Sequence, residues 1–217
     1  MPPRAVLFDF DGVIADTGNV HVAAWERTFA DMGWDVPPDV CARAEEEDDR
    51  AFLSSIFDAR SIEGADIKGW LARKQSLARM ILSDSPRLYP GVRELIEALR
   101  GKARLAVVSV TWRENAAIVL GTSGLADAFE AIVGKEDVRK TKPNAEPYKK
   151  ALELMGLKPS TVIAIEDSPT GIASARSARI PIVAVGHRRP EGDWCQDTTF
   201  LPNFRDLDAA LGALGFA

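Results

Sequence analysis

Two aspartates separated by one residue, Asp9 and Asp11, stand at the end of a short apolar run and just before Gly12. Side chains two apart on a strand point the same way, so both carboxylates are expected to converge while Phe10 faces away, and Gly12 lets the chain turn sharply. Adjacent carboxylates repel each other, and a fold that keeps them together supplies a cation or a shared proton. Magnesium is the expected ion, because it takes hard oxygen ligands and leaves positions for water and a substrate phosphate. Ser109 and Thr111 precede a helix expected to start near Trp112 or Arg113, where hydroxyls and backbone amides make a seat for an anion. Lys142, beside Pro143, offers that anion a positive charge. Glu166 and Asp167 close another apolar run and offer the metal two more carboxylates. Neighbours on a strand face opposite ways, so one of this pair is open to bonding only backbone, and Asp167 is the firmer ligand. Singly, these features are ordinary: a solvated strand end, a helix cap, a surface charge. Their collection at the ends of apolar runs argues for chemistry, since ligands of an open parallel sheet bind beyond the carboxyl ends of its strands.

The elements that must position them are legible in the hydrophobic pattern. Ala5 to Phe10, Arg104 to Ser109, Thr161 to Ile165 and Pro181 to Val185 are nearly continuous apolar runs, with a weaker one at Ala131 to Val133. Such runs read as strands buried on both faces of a parallel sheet. Helical spacing falls between them at Val92 to Arg100, Arg113 to Leu120, Ala145 to Met155 and Thr170 to Ala178. The alternation predicts a doubly wound α/β core of the Rossmann-like kind. The long interval between the first two strands is the anomaly. Its segments Asn19 to Met32, Arg50 to Asp58 and Ile67 to Leu82 favour helix, which predicts a helical cap over residues 17–83 inserted into a core of residues 1–16 and 84–217.

Bulk properties limit the partners. The chain has 217 residues and a formal charge of −5, so it lacks the broad basic surface that nucleic acid or an anionic membrane requires. A small molecule is the expected partner. Two scattered cysteines, Cys41 and Cys195, are too few for a disulfide framework or a zinc site and fit a reducing cytoplasm. The apolar stretch before Asp9 is too short for a signal peptide or a membrane span. A monomer is expected.

The segments LFDFDGV, VVSVT, KTKPNAEPY and IEDSPTG, in that order, resemble the haloacid dehalogenase (HAD) superfamily, in its β-phosphoglucomutase-like and phosphatase branch. The resemblance spans roughly residues 5 to 185 and implies a Rossmann-like core with a helical cap. It implies that Asp9 is a nucleophile that becomes phosphorylated, and that Asp11 is the general acid and base. Ser109 and Lys142 would hold the phosphoryl oxygens. Asp9, the backbone carbonyl of Asp11, and Asp167 would bind magnesium, with Glu166 in support. A true dehalogenase is set aside, because those relatives lack the second aspartate.

The resemblance extends into the insert. His21 and Trp25 match a stretch of the mutase, Arg50 falls where the mutase has an arginine for a distal phosphate, and Lys74 matches a cap lysine. Each has a plain alternative: Trp25 as core, His21 as packing, Arg50 and Lys74 as surface charges. Two departures bear on substrate. The acidic run Glu45 to Asp49 replaces an expected Lys-Gly pair and would repel a doubly phosphorylated sugar unless compensated. Trp112 stands beside the phosphate seat where smaller residues are usual. The expected function is a magnesium-dependent phosphatase of a small phosphorylated metabolite, with a phosphosugar mutase second and a non-catalytic phosphate-binding module a remote third.

Overall fold

The computed structural model describes residues 2–45 and 47–216. The chain divides into two compact units, Thr17–Pro86 and the combination of Met1–Asp16 with Arg87–Ala217. The first is helical: α1 (Gly18–Asp31), α2 (Pro38–Ala42), α3 (Asp49–Ala59) and α4 (Ile67–Asp84). Its core is aromatic. Trp25 and Phe29, one turn apart on α1, stack with ring centroids 5.3 Å apart and meet Phe52 of α3 edge-on. Trp34 and Trp70 lie 4.6 Å apart on the same cluster. Large rings bury much area at little cost in rotamer entropy, which lets four short helices hold a core of their own.

The second unit carries the sheet. Its strands are β1 (Ala5–Phe8), β2 (Arg104–Val108), β3 (Phe129–Val133), β4 (Val162–Glu166), β5 (Ile182–Val185) and β6 (Thr199–Leu201). They are parallel throughout, in the order β3-β2-β1-β4-β5-β6. Helices α5 (Val92–Leu99), α6 (Arg113–Thr122), α7 (Glu146–Met155), α8 (Pro169–Ser177) and α9 (Leu207–Ala213) connect and cover them. All four residues of β1 are buried. Ala5 and Leu7 join one core cluster with Tyr148, Ala151 and Met155 of α7 and Ala175 of α8, while Val6 and Phe8 bury on the opposite face. This two-sided burial is what the unbroken apolar run requires. Because β1 lies between β2 and β4, the residues that follow these three strands emerge side by side.

The aspartate pair differs from the expected strand geometry. β1 ends at Phe8, and the chain folds back over Phe10, whose carbonyl accepts the amides of Ile14 and Ala15. Asp11 forms an isolated bridge with Ala15, and Gly12 has φ of 92°. Asp11 is therefore positioned by a tight loop rather than by the pleat of a strand. β6, α2 and α9 have no counterpart in the sequence reading, β3 begins two residues earlier than the apolar signal, and β4 includes Glu166.

Candidate active site

Asp9 is the first residue beyond β1, and its amide still bonds the carbonyl of Ile165 on β4. Its carboxylate is buried, with Oδ1 2.6 Å from Nζ of Lys142. The same ammonium lies 2.7 Å from Oε1 of Glu166. Lys142 reaches this position from a loop that is itself held: the Glu146 carboxylate accepts the amides of Arg139 and Lys140, and Ser174 donates to the carbonyl of Asn144. Burial alone would lower the pKa of Lys142, but the charges of Asp9 and Glu166 and their hydrogen bonds outweigh it and hold the amine protonated.

Asp9, Glu166 and Asp167 each bring a carboxylate oxygen within 4.8 Å of the others. Lys142 contacts two of these three buried carboxylates, and the charges of Arg188 and Arg189 also act on Asp167. Burial, followed by repulsion from Asp9, pushes the carboxyl of Asp167 up. Glu166 is also pushed up, chiefly by burial and against the opposing charge of Lys142. Oε1 of Glu166 takes the phenol of Tyr148 at 2.5 Å as well as Lys142, while Oε2 is shielded from solvent and has no hydrogen-bond partner among the described residues. An all-oxygen donor set of crowded carboxylates and an orphaned carboxylate oxygen fit a hard divalent cation.

Two glycines keep this space open. A Cβ on Gly171 would land on the Glu166 carboxylate, and one on Gly12 would land on that of Asp167. Gly12 is thus required twice, for its left-handed φ and for its missing side chain. Ser109 is buried at the end of β2 and donates to Oδ2 of Asp11 at 3.2 Å, while its oxygen accepts the amide of Thr111. The expected anion seat is narrower than the sequence reading had it. The amide of Arg113, which opens α6, is taken by the carboxylate of Glu136. Trp112 carries Lys135 over its ring at 4.6 Å.

The insert's candidates separate into two groups. Trp25 is fully buried, and Lys74 is not a surface charge: it is fully buried and paired with Asp49 at 2.7 Å. His21 is half-buried, with Nδ1 2.7 Å from Nζ of Lys74. Arg50 is exposed on the first turn of α3. The acidic run is not a set of bare charges. Glu47 pairs with Arg43, Asp48 caps α3 through the amides of Arg50 and Ala51, and Asp49 pairs with Lys74. Glu46 lies outside the described residues. Two members of the run, Glu47 and Asp49, are thus neutralised by cations within the helical unit.

The model of the haloacid dehalogenase-like hydrolase family matches residues 6–185. The chain belongs to that family. Relatives of this HAD-like hydrolase include the phosphorylated carbohydrates phosphatase of Thermotoga maritima, 30% identical over 191 residues, with 87% of this chain and 88% of that protein covered. The β-phosphoglucomutase of Bacillus subtilis is 30% identical over 202 residues, covering 86% and 85%. Among solved structures, CbbY from Rhodobacter sphaeroides in complex with phosphate superposes with a TM-score of 0.79 at 25% identity, over 94% of this chain and 96% of that one. The HAD-like fold accounts for the parallel sheet with its helices. No helix among the described residues is long and apolar enough to cross a membrane.

Tyr148, Gly171 and Asp49 carry parts of this arrangement that the sequence reading did not assign. Tyr148 and Gly171 lie inside the KTKPNAEPY and IEDSPTG segments, so their signal was position within a motif rather than residue type.

Proposed function

We propose that this HAD-like hydrolase is a magnesium-dependent phosphatase of small phosphorylated metabolites, acting through an aspartyl phosphate on Asp9. The observation that carries the reading is the buried grouping of Asp9, Lys142, Glu166 and Asp167 beside the Asp11–Ser109 pair, at the carboxyl ends of β1, β2 and β4. Asp9, Glu166 and Asp167 would hold the ion, together with the backbone carbonyl of Asp11. When bound, magnesium offsets the negative charge of a phosphate ester approaching three carboxylates.

This chain's residues then divide the work. Asp9 attacks phosphorus, forming one P–O bond as the ester P–O bond breaks, and Lys142 holds the attacking carboxylate and the phosphoryl oxygens. Asp11 gives its proton to the departing alkoxide. It takes a proton back from the water that attacks the aspartyl phosphate, which releases phosphate and restores Asp9. Ser109, bonded to Asp11, keeps that carboxyl oriented between the two steps. The helical unit serves as the cap that selects the substrate. Two buried free cysteines support a reducing compartment, the cytoplasm. We take the active species to be the monomer.

An Asp9→Asn variant assayed with p-nitrophenyl phosphate and magnesium is expected to lose turnover by several orders of magnitude. Retained turnover would overturn the assignment. The pairing of Glu47 and Asp49 with cations removes part of the charge that opposes a second reading, a phosphosugar mutase with Arg50 holding a distal phosphate. It predicts conversion of β-glucose 1-phosphate to the 6-phosphate under bisphosphate priming, abolished in Arg50→Ala. Phosphate release without isomer formation excludes it.

A further inference from the structure

Lys142 contacts Asp9 and Glu166, while the third carboxylate of the cluster, Asp167, meets a different cation. That cation comes from the loop after β5. The amide of Gly186, the first residue beyond the strand, donates to the carbonyl of Leu201 on β6. A Cβ on Gly186 would lie 2.5 Å from the carbonyl oxygen of Arg189 and press on the ring of Phe200, so the chain can fold back tightly only because that side chain is missing. His187 then stacks on Tyr89 with ring centroids 4.3 Å apart, and the amide of Tyr89 donates to the carbonyl of Ile14. The loop is thereby pinned to the segment that carries Asp11 and Gly12.

Arg188 is brought back over Gly12. A Cβ on that glycine would collide with the carboxylate of Asp167 from one side and lie 3.0 Å from Cδ of Arg188 on the other, so the two side chains approach each other over a residue that has none. Asp167 is buried, whereas Arg188 is exposed. The charge of Arg188 acts on Asp167 more strongly than that of Lys142, and that of Arg189 more weakly. Arg188 also acts on the phenol of Tyr89, in opposition to Asp16, Asp167 and Asp11. A guanidinium does not give up its proton in a protein, so this charge persists with or without an ion. Its two effects have opposite signs: it attracts Asp167 when the carboxylates are bare, and it repels a divalent cation that Asp167 would hold.

We propose that Arg188 is a resident counter-charge of the ion site, a positioning residue that acts through Asp167: it steadies the carboxylates while the site is bare and lowers their affinity for magnesium. The inference rests on the ion site of the phosphatase reading and involves the sheet-bearing unit alone. It is distinguished from a purely structural role by sign. Loss of a merely structural side chain loosens the site and weakens ion binding, whereas loss of a counter-charge strengthens it.

Titration calorimetry with magnesium chloride on protein stripped by EDTA, together with melting curves of the same metal-free samples, tests the proposal. Arg188→Gln keeps most of the side-chain stem over Gly12 and removes the charge. It is expected to bind magnesium roughly fivefold more tightly than the wild type and to melt roughly 2–4 °C lower when metal-free. Arg188→Lys, which keeps the charge, is expected to stay near the wild type in both measurements, and Arg189→Gln to show the smaller change. In an Asp167→Asn background the melting difference made by Arg188→Gln is expected to vanish. Equal or weaker magnesium binding by Arg188→Gln overturns the proposal, and so does a melting difference that persists without the Asp167 charge. A wild type that binds magnesium with an affinity indifferent to Arg188 leaves the phosphatase reading intact. A wild type that takes up no magnesium refutes the ion site itself, and this inference with it.

Discussion

At the scale of the residue, the site depends as much on side chains that are missing as on those present. Gly171 lies in the first turn of α8, a helix capped by Ser168, whose hydroxyl accepts the Gly171 amide. Within a helix, alanine is ordinarily more stable than glycine by about 0.5–1 kcal/mol. Here the added methyl would occupy the space of the Glu166 carboxylate, and Glu166 is held from the other side by Lys142 and Tyr148. Gly171→Ala is therefore expected to reverse the usual sign and destabilise by about 1–3 kcal/mol, the range for overpacking, with a matching loss of magnesium-supported turnover. Urea unfolding and p-nitrophenyl phosphate hydrolysis measure the two effects. A variant more stable than wild type and fully active would show that Glu166 has room to move. Asp9 and Asp167 were conspicuous in the sequence as charged residues that close apolar runs, whereas Lys142 follows no such run and stood out only beside Pro143 in the KTKPNAEPY segment. Tyr148 did not stand out, because an aromatic on an amphipathic helix reads as core until α7 is packed and its phenol is found on Glu166.

At the scale of the element, the alternation of strand and helix was readable because two-sided burial demands unbroken apolar runs such as AVLF and VIAI. Residues 8 to 15 were not, since the turn back over Phe10 rests on local backbone bonds that leave no hydrophobic period. β6 was hidden for a similar reason: of its three residues only Leu201 is buried. Another piece with no periodic signal is the loop after β5. His187 stacks on Tyr89 with centroids 4.3 Å apart and meets Phe204 edge-on, and its Nε2 is shut off from solvent without a partner among the described residues. Burial lowers its pKa from 6.5 to about 4. Above pH 6.5 the ring is neutral in both folded and unfolded chains and contributes no pH dependence. Between 6.5 and about 4 the unfolded chain binds the proton and the folded one refuses it, so stability falls as pH falls. The full shift corresponds to about 3 kcal/mol, and solvent contact with the half-buried ring reduces this to roughly 1–2. His187→Phe keeps the stacking and cannot titrate, so its stability is expected to decline less steeply between pH 6.5 and 4.5 in urea titrations. Parallel slopes for the two proteins would refute the assignment.

At the scale of the whole molecule, the proposed ion site exists only in the folded chain. Asp9 is more than 150 residues from Glu166 and Asp167 in sequence, and their convergence depends on β1 pairing with β4 in the register Phe8↔Ile165. An ion that binds this set has no comparable site in the unfolded chain, so its binding free energy adds to folding. It also relieves the repulsion among the three carboxylates, which is largest when the cluster is assembled and bare. At a magnesium concentration a hundredfold above its dissociation constant, the stabilisation is about 2.7 kcal/mol, or a rise in melting temperature of roughly 5–10 °C for a chain of this size. EDTA is expected to abolish the rise in the wild type. In Asp167→Asn, which removes one negative charge from the crowded set, the protein is expected to melt at or above the metal-free wild type and to gain little from magnesium. Scanning calorimetry of both proteins, with EDTA and with magnesium, reads these values. Equal melting temperatures for the wild type under the two conditions would sink the metal assignment. An equal rise in both proteins would instead move the ion away from Asp167.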